Sequence, residues 1–197
     1  MTQAKIAFVF PGQGSQKIGM LADIVGQHET LLETFDRASE QLGYDLWDLS
    51  QYGSQEEISQ TEITQPLLLT ASVALWRLWQ FLGGTTPAAM AGHSLGEWSA
   101  LVCAGVVEFP DALGLVQKRA KYMQSAVPAG EGAMTAIVGL DDNRIREACE
   151  SVANGSVVTP VNFNAPGQVV IAGNSEAVAR AGEACREAGA KRALSLP

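Results

Sequence analysis

The sequence predicts an α/β protein in which short apolar strands alternate with helices. Residues 6–10 form a continuous apolar run that a proline- and glycine-rich segment ends abruptly. A Gly-x-Ser-x-Gly motif at residues 92–96 stands between a second apolar run and a helix-like run. From residue 132 onward, strand and helix patterns alternate to the end of the chain. This alternation is typical of α/β folds.

In the first part of the chain, the strand at residues 6–10 is predicted to be buried on both faces, because all five residues are apolar. Helices are predicted over residues 31–42 and 66–82. The second begins at Pro66 and ends at Gly83-Gly84, which are favoured positions for these residue types.

A short strand at residues 88–91 leads into the serine motif, and a helix follows over residues 98–104 with Gly105 at its end. A further helix is predicted over residues 111–126, because Pro128 and Gly130 prevent its continuation.

The remaining residues predict a separate βαββαβ unit, which is the element order of ferredoxin-like subdomains. We therefore expect one domain at residues 1–130 and a ferredoxin-like domain at 131–197. The predicted strands and helices of the second domain span residues 133–140, 142–152, 157–163, 168–172, 175–188 and 191–196.

Composition narrows the class of partner. With 197 residues, 47% of them hydrophobic, the chain is able to bury a substantial core. The net charge of −8 argues against general binding of nucleic acid or of anionic membranes, and no stretch is long and apolar enough to span a bilayer. An acidic protein partner would require a local basic patch.

The cysteines and the N-terminus indicate a cytoplasmic protein. Cys103, Cys149 and Cys185 are odd in number and lack paired spacing, so we expect them to be reduced core residues. No cleavage-like site follows the first apolar run. No spacing of Cys, His and carboxylates suggests a metal, and no cofactor is expected.

Ser94 is the candidate nucleophile. A sharp turn from strand to helix requires small residues two positions before and two after the serine, as Gly92 and Gly96 provide, and it lifts the hydroxyl above the sheet. The amide of Leu95 would then point from a helix N-terminus toward the reacting group. The alternative is an ordinary tight turn.

Arg119 is the second candidate, because helical spacing places it within the apolar face of its helix, where an unpaired charge is costly. It would hold a substrate carboxylate, unless it forms an internal salt bridge or extends its charged end to solvent.

The turn after the first strand supplies the third candidate, Gln13. Its segment lacks the third glycine of a dinucleotide fingerprint and the Gly-Lys-Ser/Thr of a P-loop, which leaves only a weak nucleotide alternative. In serine hydrolase-like sites, a loop after an early strand supplies the second oxyanion-hole amide.

Taken together, these motifs resemble bacterial malonyl-CoA:acyl carrier protein transacylases of type II fatty acid synthesis, over their N-terminal two-thirds. The motifs are Phe10-Pro11-Gly12-Gln13-Gly14-Ser15-Gln16, Thr64-Gln65-Pro66, Gly92-His93-Ser94-Leu95-Gly96-Glu97, Arg119, Asn162-Phe163-Asn164 and Pro166-Gly167-Gln168.

The resemblance implies an incomplete α/β-hydrolase-like acyltransferase subdomain with an inserted ferredoxin-like subdomain. It implies that Ser94 carries a malonyl group from malonyl-CoA to the phosphopantetheine thiol of acyl carrier protein, and that the protein is a monomer. The Gln13 and Leu95 amides would form the oxyanion hole and Arg119 would hold the carboxylate. The cleft would be lined by Met123, Met134, Asn162, Asn164 and Gln168.

One departure from the family concerns the general base, which the resemblance places in a segment beyond residue 197. His28 is expected to be exposed, and His93 points away from the neighbouring Ser94 and is expected to line the cleft. We therefore expect the isolated chain to be inactive or impaired. The alternatives are a serine esterase or thioesterase, and a catalytically inert fragment.

Two basic pairs are candidates for binding the acidic carrier protein. Lys191 and Arg192 are favoured because the resemblance implies that their subdomain overhangs the cleft, and Lys118 and Lys121 are the alternative. Either pair could instead be an ordinary solvated surface.

Overall fold

A computed structural model describes residues 5–26, 28–128 and 130–196. The chain divides into two compact units, Met1–Ser125 and Ala126–Pro197, where the sequence predicted a boundary after residue 130. Both units contain helices and strands, so the predicted α/β class is confirmed. None of the helices in the described ranges combines the length and the apolar character that a bilayer crossing requires.

The first unit contains a two-stranded parallel sheet and several helices. Phe10 at the end of β1 pairs with Gly92 at the end of β2, so both strands end at the same edge of the sheet. The described elements are β1 (Ala7–Phe10), α1 (Ala22–Val25), α2 (Glu29–Leu42), α3 (Leu46–Tyr52), α4 (Gln55–Ile58), α5 (Thr61–Phe81), β2 (Ala89–Gly92), α6 (Leu95–Cys103) and α7 (Phe109–Ser125).

The prediction that the first strand is buried on both faces was wrong. Phe8 packs edge-on against the rings of Trp76 and Trp79 in α5, with centroids 5.4 and 5.3 Å away. Val9 points to the opposite face and is 78% exposed. A continuous apolar run therefore predicted the strand correctly, but α5 covers only one of its faces.

The long helix α5 begins earlier than predicted, at Thr61, and Pro66 lies inside it. The carbonyl of Gln60 accepts hydrogen bonds from the Thr64 amide and hydroxyl at 2.8 and 3.0 Å, so the first turn forms before the proline. Pro66 removes only one helical N–H. The short helices α1, α3 and α4 were not predicted, because four to seven residues do not establish a period.

The second unit forms a four-stranded antiparallel sheet in the order β4-β5-β3-β6. The predicted sequence of strands and helices is observed, with ends that shift by at most a few residues. The elements are β3 (Gly132–Val138), α8 (Asp142–Val152), β4 (Val158–Ala165), β5 (Gln168–Asn174), α9 (Ser175–Glu187) and β6 (Arg192–Leu196).

The core of the second unit lies between this sheet and its two helices. Ile137, Val169 and Ile171 point from the sheet into a cluster that includes Cys149 and Cys185. Residues two apart on a strand share a face, so Gln168, Val170 and Ala172 of β5 lie on the face turned away from the helices.

All three cysteines are buried and free of disulfides, as predicted. Burial raises the pKa of the Cys103 thiol to about 12 and that of the Cys149 thiol to about 11, and it also raises the pKa of Cys185. The three thiols are therefore protonated near neutral pH and are poor nucleophiles.

Candidate functional site

Ser94 occupies a strained turn between β2 and α6. Its backbone has φ 54° and ψ −107°, a conformation that a residue with a side chain rarely adopts. Such strain costs about 1–3 kcal/mol and is typical of functional sites. The residue is exposed, and α6 begins at the next residue. The turn therefore presents the hydroxyl to solvent at a helix N-terminus.

The two glycines of the motif allow the backbone segments to approach closely. A Cβ on Gly92 would lie 1.9 Å from the carbonyl carbon of Gly96, and a Cβ on Gly96 would lie 2.2 Å from the carbonyl oxygen of Phe10. Neither distance is compatible with a side chain. The packing thus explains the requirement for small residues that the motif predicts.

Leu95 is the first residue of α6, and its side chain is 1% exposed. The first N–H groups of a helix have no partner within it and carry the positive end of the helix dipole. The Leu95 amide therefore lies beside Ser94 at the positive end of the α6 dipole.

Arg119 lies beside the serine although 25 residues separate them in sequence. It extends from α7, where it is half-buried, and its Nη2 donates a hydrogen bond to Ser94 Oγ at 3.0 Å. Its Nη1 donates to Oε1 of Gln65 in α5. The helix packing thus brings a guanidinium to the candidate nucleophile.

No carboxylate pairs with this guanidinium within the described residues. Their one ion pair within 4 Å joins Arg186 and Glu183, both in the second unit. The alternative of an internal salt bridge for Arg119 is therefore wrong for this part of the chain. A half-buried cation whose partners are neutral is suited to receive an anionic ligand.

The loop after β1 lies next to the serine turn. The amide of His93 donates to the carbonyl of Phe10 at 3.2 Å, and a Cβ on Gly12 would lie 2.8 Å from the carbonyl oxygen of His93. Gln13 follows at once, and its side-chain amide donates to Thr61 Oγ1 at 3.0 Å. This contact anchors the loop to the start of α5.

Of the two histidines, His28 is less exposed than predicted. His28, predicted to be exposed, is half-buried. It precedes helix α2, and its carbonyl accepts a hydrogen bond from the Leu31 amide at 3.2 Å. His93 is exposed, and a Cβ on Gly12 would lie 2.9 Å from its Nδ1. The ring of His93 thus lies against the loop after β1.

The other predicted cleft residues divide between the two units. Met123 belongs to α7, and its Sδ accepts a hydrogen bond from Gln65 Nε2 at 3.4 Å. In the second unit, Met134 pairs with Ala172, and Asn162 pairs with Val170. Met134, Asn162 and Gln168 therefore share the sheet face turned away from the helices. Asn164 lies at an irregularity of β4, between Phe163 and Ala165.

Lys191 and Arg192, the candidate partner-binding pair, are both exposed at the start of β6. The amide of Lys191 donates to the Val138 carbonyl at 2.8 Å, which ties the pair to β3. The alkyl part of Lys191 lies across Gly139, where a Cβ would be 2.7 Å from Cγ.

Sequence reasoning missed the placement of Gln65, which is fully buried between Arg119 and Met123. In the sequence, Gln65 is the middle residue of the Thr64-Gln65-Pro66 motif. A polar side chain at the head of the apolar run in α5 was the available signal, because buried amides require partners.

Two of the cavities that border the sheet of the first unit are lined by described residues other than Ser94 and Arg119. One, of about 430 Å³, is mostly apolar and lies beside β1 and α5. The other, of about 660 Å³, lies beside β2 and α6. Among the described residues, no group of three or more His, Cys, Asp and Glu side chains is arranged to hold a metal ion.

Two named bacterial proteins are similar to this chain in sequence. Malonyl CoA-acyl carrier protein transacylase of Escherichia coli strain K12 is 66% identical over 197 residues, which are 100% of this chain and 63% of that protein. The protein of the same name from Bacillus subtilis is 46% identical over 194 residues, which are 98% of this chain and 61% of the relative. The chain thus spans less than two-thirds of the length of these relatives.

Solved structures share the fold. An acyl carrier protein S-malonyltransferase from Vibrio cholerae superposes with a TM-score of 0.95 at 62% identity, over 98% of this chain and 63% of that one. A malonyl-transacylase in complex with its type II PKS acyl-carrier protein gives a TM-score of 0.96 at 61% identity, over 98% of this chain and 62% of that one.

The resemblance predicted from the motifs is confirmed by these relatives. A family model described as the acyl transferase domain matches residues 7–195. The chain therefore belongs to the acyl transferase domain family.

Proposed function

We propose that this chain carries the acyl-accepting site of a malonyl-CoA:acyl carrier protein transacylase. Ser94 takes the malonyl group from malonyl-CoA and passes it to the phosphopantetheine thiol of acyl carrier protein. The names of the relatives support both the donor and the acceptor.

One observation carries the proposal: the Arg119 guanidinium lies 3.0 Å from Ser94 Oγ and has neutral partners among the described residues. A nucleophile alone would fit any acyl group. A cation beside it favours an acyl group that ends in a carboxylate, because a guanidinium donates to both carboxylate oxygens.

In the first step, Ser94 Oγ attacks the thioester carbonyl while a base takes the hydroxyl proton. Arg119 donates to Oγ and cannot accept that proton, so the base is another group. The resemblance implies a histidine for this role. The carbonyl becomes an oxyanion held by the amides of Gln13 and Leu95. The C–S bond then breaks, and the proton passes from the base to the leaving CoA thiolate.

The second step reverses the first with a new thiol. The phosphopantetheine thiol gives its proton to the base and attacks the ester carbonyl, and the same two amides hold the oxyanion. The bond to Ser94 Oγ breaks, and the proton returns to the serine. The malonyl group leaves as a thioester of the carrier protein.

We assign the first unit to the α/β-hydrolase-like acyltransferase subdomain and the second to the ferredoxin-like subdomain. Support for the first comes from the parallel β1–β2 pair that precedes the serine turn. The sheet order β4-β5-β3-β6 supports the second. In the first unit, Met123 is proposed to bind substrate. In the second unit, the proposed substrate-binding residues are Met134, Asn162, Asn164 and Gln168.

The proposed docking surface for carrier protein is the pair Lys191 and Arg192. Residues 126–197 hold six Lys and Arg against eight Asp and Glu, whereas residues 1–125 hold seven against thirteen. The second unit is therefore the less acidic one, and an acidic partner meets weaker repulsion there.

The test is the intact mass of the chain after incubation with malonyl-CoA, on the chain alone and on a fusion to the remaining residues of the E. coli relative. In the fusion, we expect a stable malonyl adduct that is lost on addition of holo-acyl carrier protein, whereas the chain alone is expected to form little or none. Release of CoA without an adduct would indicate a serine thioesterase instead. An unchanged mass of both proteins, with no CoA released, would contradict the proposal.

A further inference from the structure

A buried glutamine of α5, Gln65, forms a hydrogen bond with Arg119 of α7, the residue proposed to bind the carboxylate. Gln65 of α5 has no solvent exposure. Its Oε1 accepts a hydrogen bond from Arg119 Nη1, and its Nε2 donates to Met123 Sδ at 3.4 Å. Both polar atoms of the amide are thus used by residues of α7.

The chemistry of the partners determines the orientation of this amide. A guanidinium only donates hydrogen bonds, and a thioether only accepts them. The oxygen of Gln65 therefore faces Arg119 and its nitrogen faces Met123. Arg119 is held at two points, because Nη1 bonds Gln65 and Nη2 bonds Ser94 Oγ at 3.0 Å.

Gln65 is a neutral partner for Arg119, so it does not cancel the positive charge of the guanidinium. A glutamate at position 65 would have nearly the same shape and would neutralise the guanidinium. The glutamine orients Arg119 and leaves its positive charge for a ligand, since the described residues give it no carboxylate.

We propose that Gln65 is a positioning residue that sets the preference for acyl groups bearing a carboxylate. It acts through Arg119 and does not itself contact the reacting atoms. This inference rests on the proposed malonyl transfer.

The test compares kcat/KM for malonyl-CoA and acetyl-CoA in the fusion protein, for the unaltered sequence and for Gln65→Glu and Gln65→Met. The Glu variant keeps the shape and adds a charge, whereas the Met variant keeps the length and removes the acceptor. Both are expected to lower the malonyl-to-acetyl ratio by about 10- to 100-fold. The malonyl-CoA KM rises, and acetyl transfer changes little.

Thr70→Val is the matched control. Thr70 lies on the same helix and is fully buried, and its hydroxyl has no hydrogen-bond partner among the described residues. This variant is expected to leave the ratio unchanged. Thermal melts of all variants identify any that fold poorly, and the substrate ratio is independent of the amount of folded enzyme.

The outcomes separate the two proposals. Equal losses with malonyl-CoA and acetyl-CoA in both Gln65 variants would show a structural role only and overturn the inference. An unchanged ratio, with malonyl transfer intact in the unaltered protein, would overturn it as well and leave the proposed function standing. Absence of malonyl transfer in the unaltered fusion would overturn both.

Discussion

Two helical glycines, one in each unit of this chain, differ in how closely neighbouring segments approach them. In the first unit, Gly96 of α6 lies so close to Phe10 that an added Cβ would be 2.2 Å from a carbonyl oxygen. In the second unit, the nearest atom to a Cβ on Gly182 of α9 is 3.8 Å away. Close backbone contact therefore forms the serine turn, whereas α9 at Gly182 faces the side chains of Ala193 and Thr135 at ordinary packing distances.

This difference predicts the largest effect for Gly96→Ala. The new methyl group would collide with backbone atoms that cannot move independently, so the turn after β2 has to open. We expect a loss of about 4 kcal/mol or more in the free energy of unfolding of the first unit. Urea denaturation measures this free energy. An unfolding curve like that of the unaltered chain would show that the close contact between Gly96 and Phe10 is not required.

A smaller and more local effect is expected for Arg119→Ala. Loss of the guanidinium would remove the proposed charge-assisted contact to the malonyl carboxylate, worth about 2–5 kcal/mol when desolvated. The ratio of kcat/KM for malonyl-CoA to that for acetyl-CoA in the fusion protein should fall by the factor that corresponds to this free energy.

Arg77→Ala is the matched control for this prediction. Arg77 is also half-buried, but it donates to Thr34 at 3.0 Å and lies over the ring of Phe109. Its loss should reduce stability and leave the substrate ratio unchanged. An unchanged ratio in the Arg119 variant would make Arg119 a structural residue too.

Much of the second unit could be predicted from the sequence, because its core repeats with regular periods. Helix α9 at Ser175–Glu187 was predicted over residues 175–188. Apolar residues at helical spacing were sufficient to predict this helix, and glycines marked the turns beside it.

The first unit was less predictable, because its site depends on contacts between distant segments. The Ser94 turn could be predicted from local spacing. The bond from Arg119 to Gln65 joins residues 54 apart, and no local pattern reports how α5 and α7 pack. The exposure of Val9 was missed for the same reason, since it depends on which helix covers the strand.

The comparison of the units also extends to their basic pairs. Reversing Lys191 and Arg192 to Glu should raise the apparent KM for carrier protein severalfold and weaken its salt dependence, with no change in the half-reaction with malonyl-CoA. Reversing Lys118 and Lys121 of α7 changes charge by the same amount in the first unit. If reversal of Lys118 and Lys121 has the larger effect on the KM for carrier protein, docking uses the first unit and our assignment is wrong.

The smallest effect is expected for Gly182→Ala. The position has room for a methyl group and lies within a helix, so alanine should stabilise the second unit by about 0.5–1 kcal/mol. The midpoint of urea unfolding measures the gain. Destabilisation would show that the packing of α9 against Thr135 and Ala193 is tighter than the distances indicate.

The most direct test of the central claim is the location of the acyl group. Fusion protein treated with malonyl-CoA is quenched in acid, digested and mapped by mass spectrometry. We expect one malonyl group per chain, on the peptide that contains Ser94, and none in Ser94→Ala, because loss of a nucleophile removes the covalent step. Malonyl on another residue, or undiminished transfer by the Ser94→Ala variant, would contradict the account.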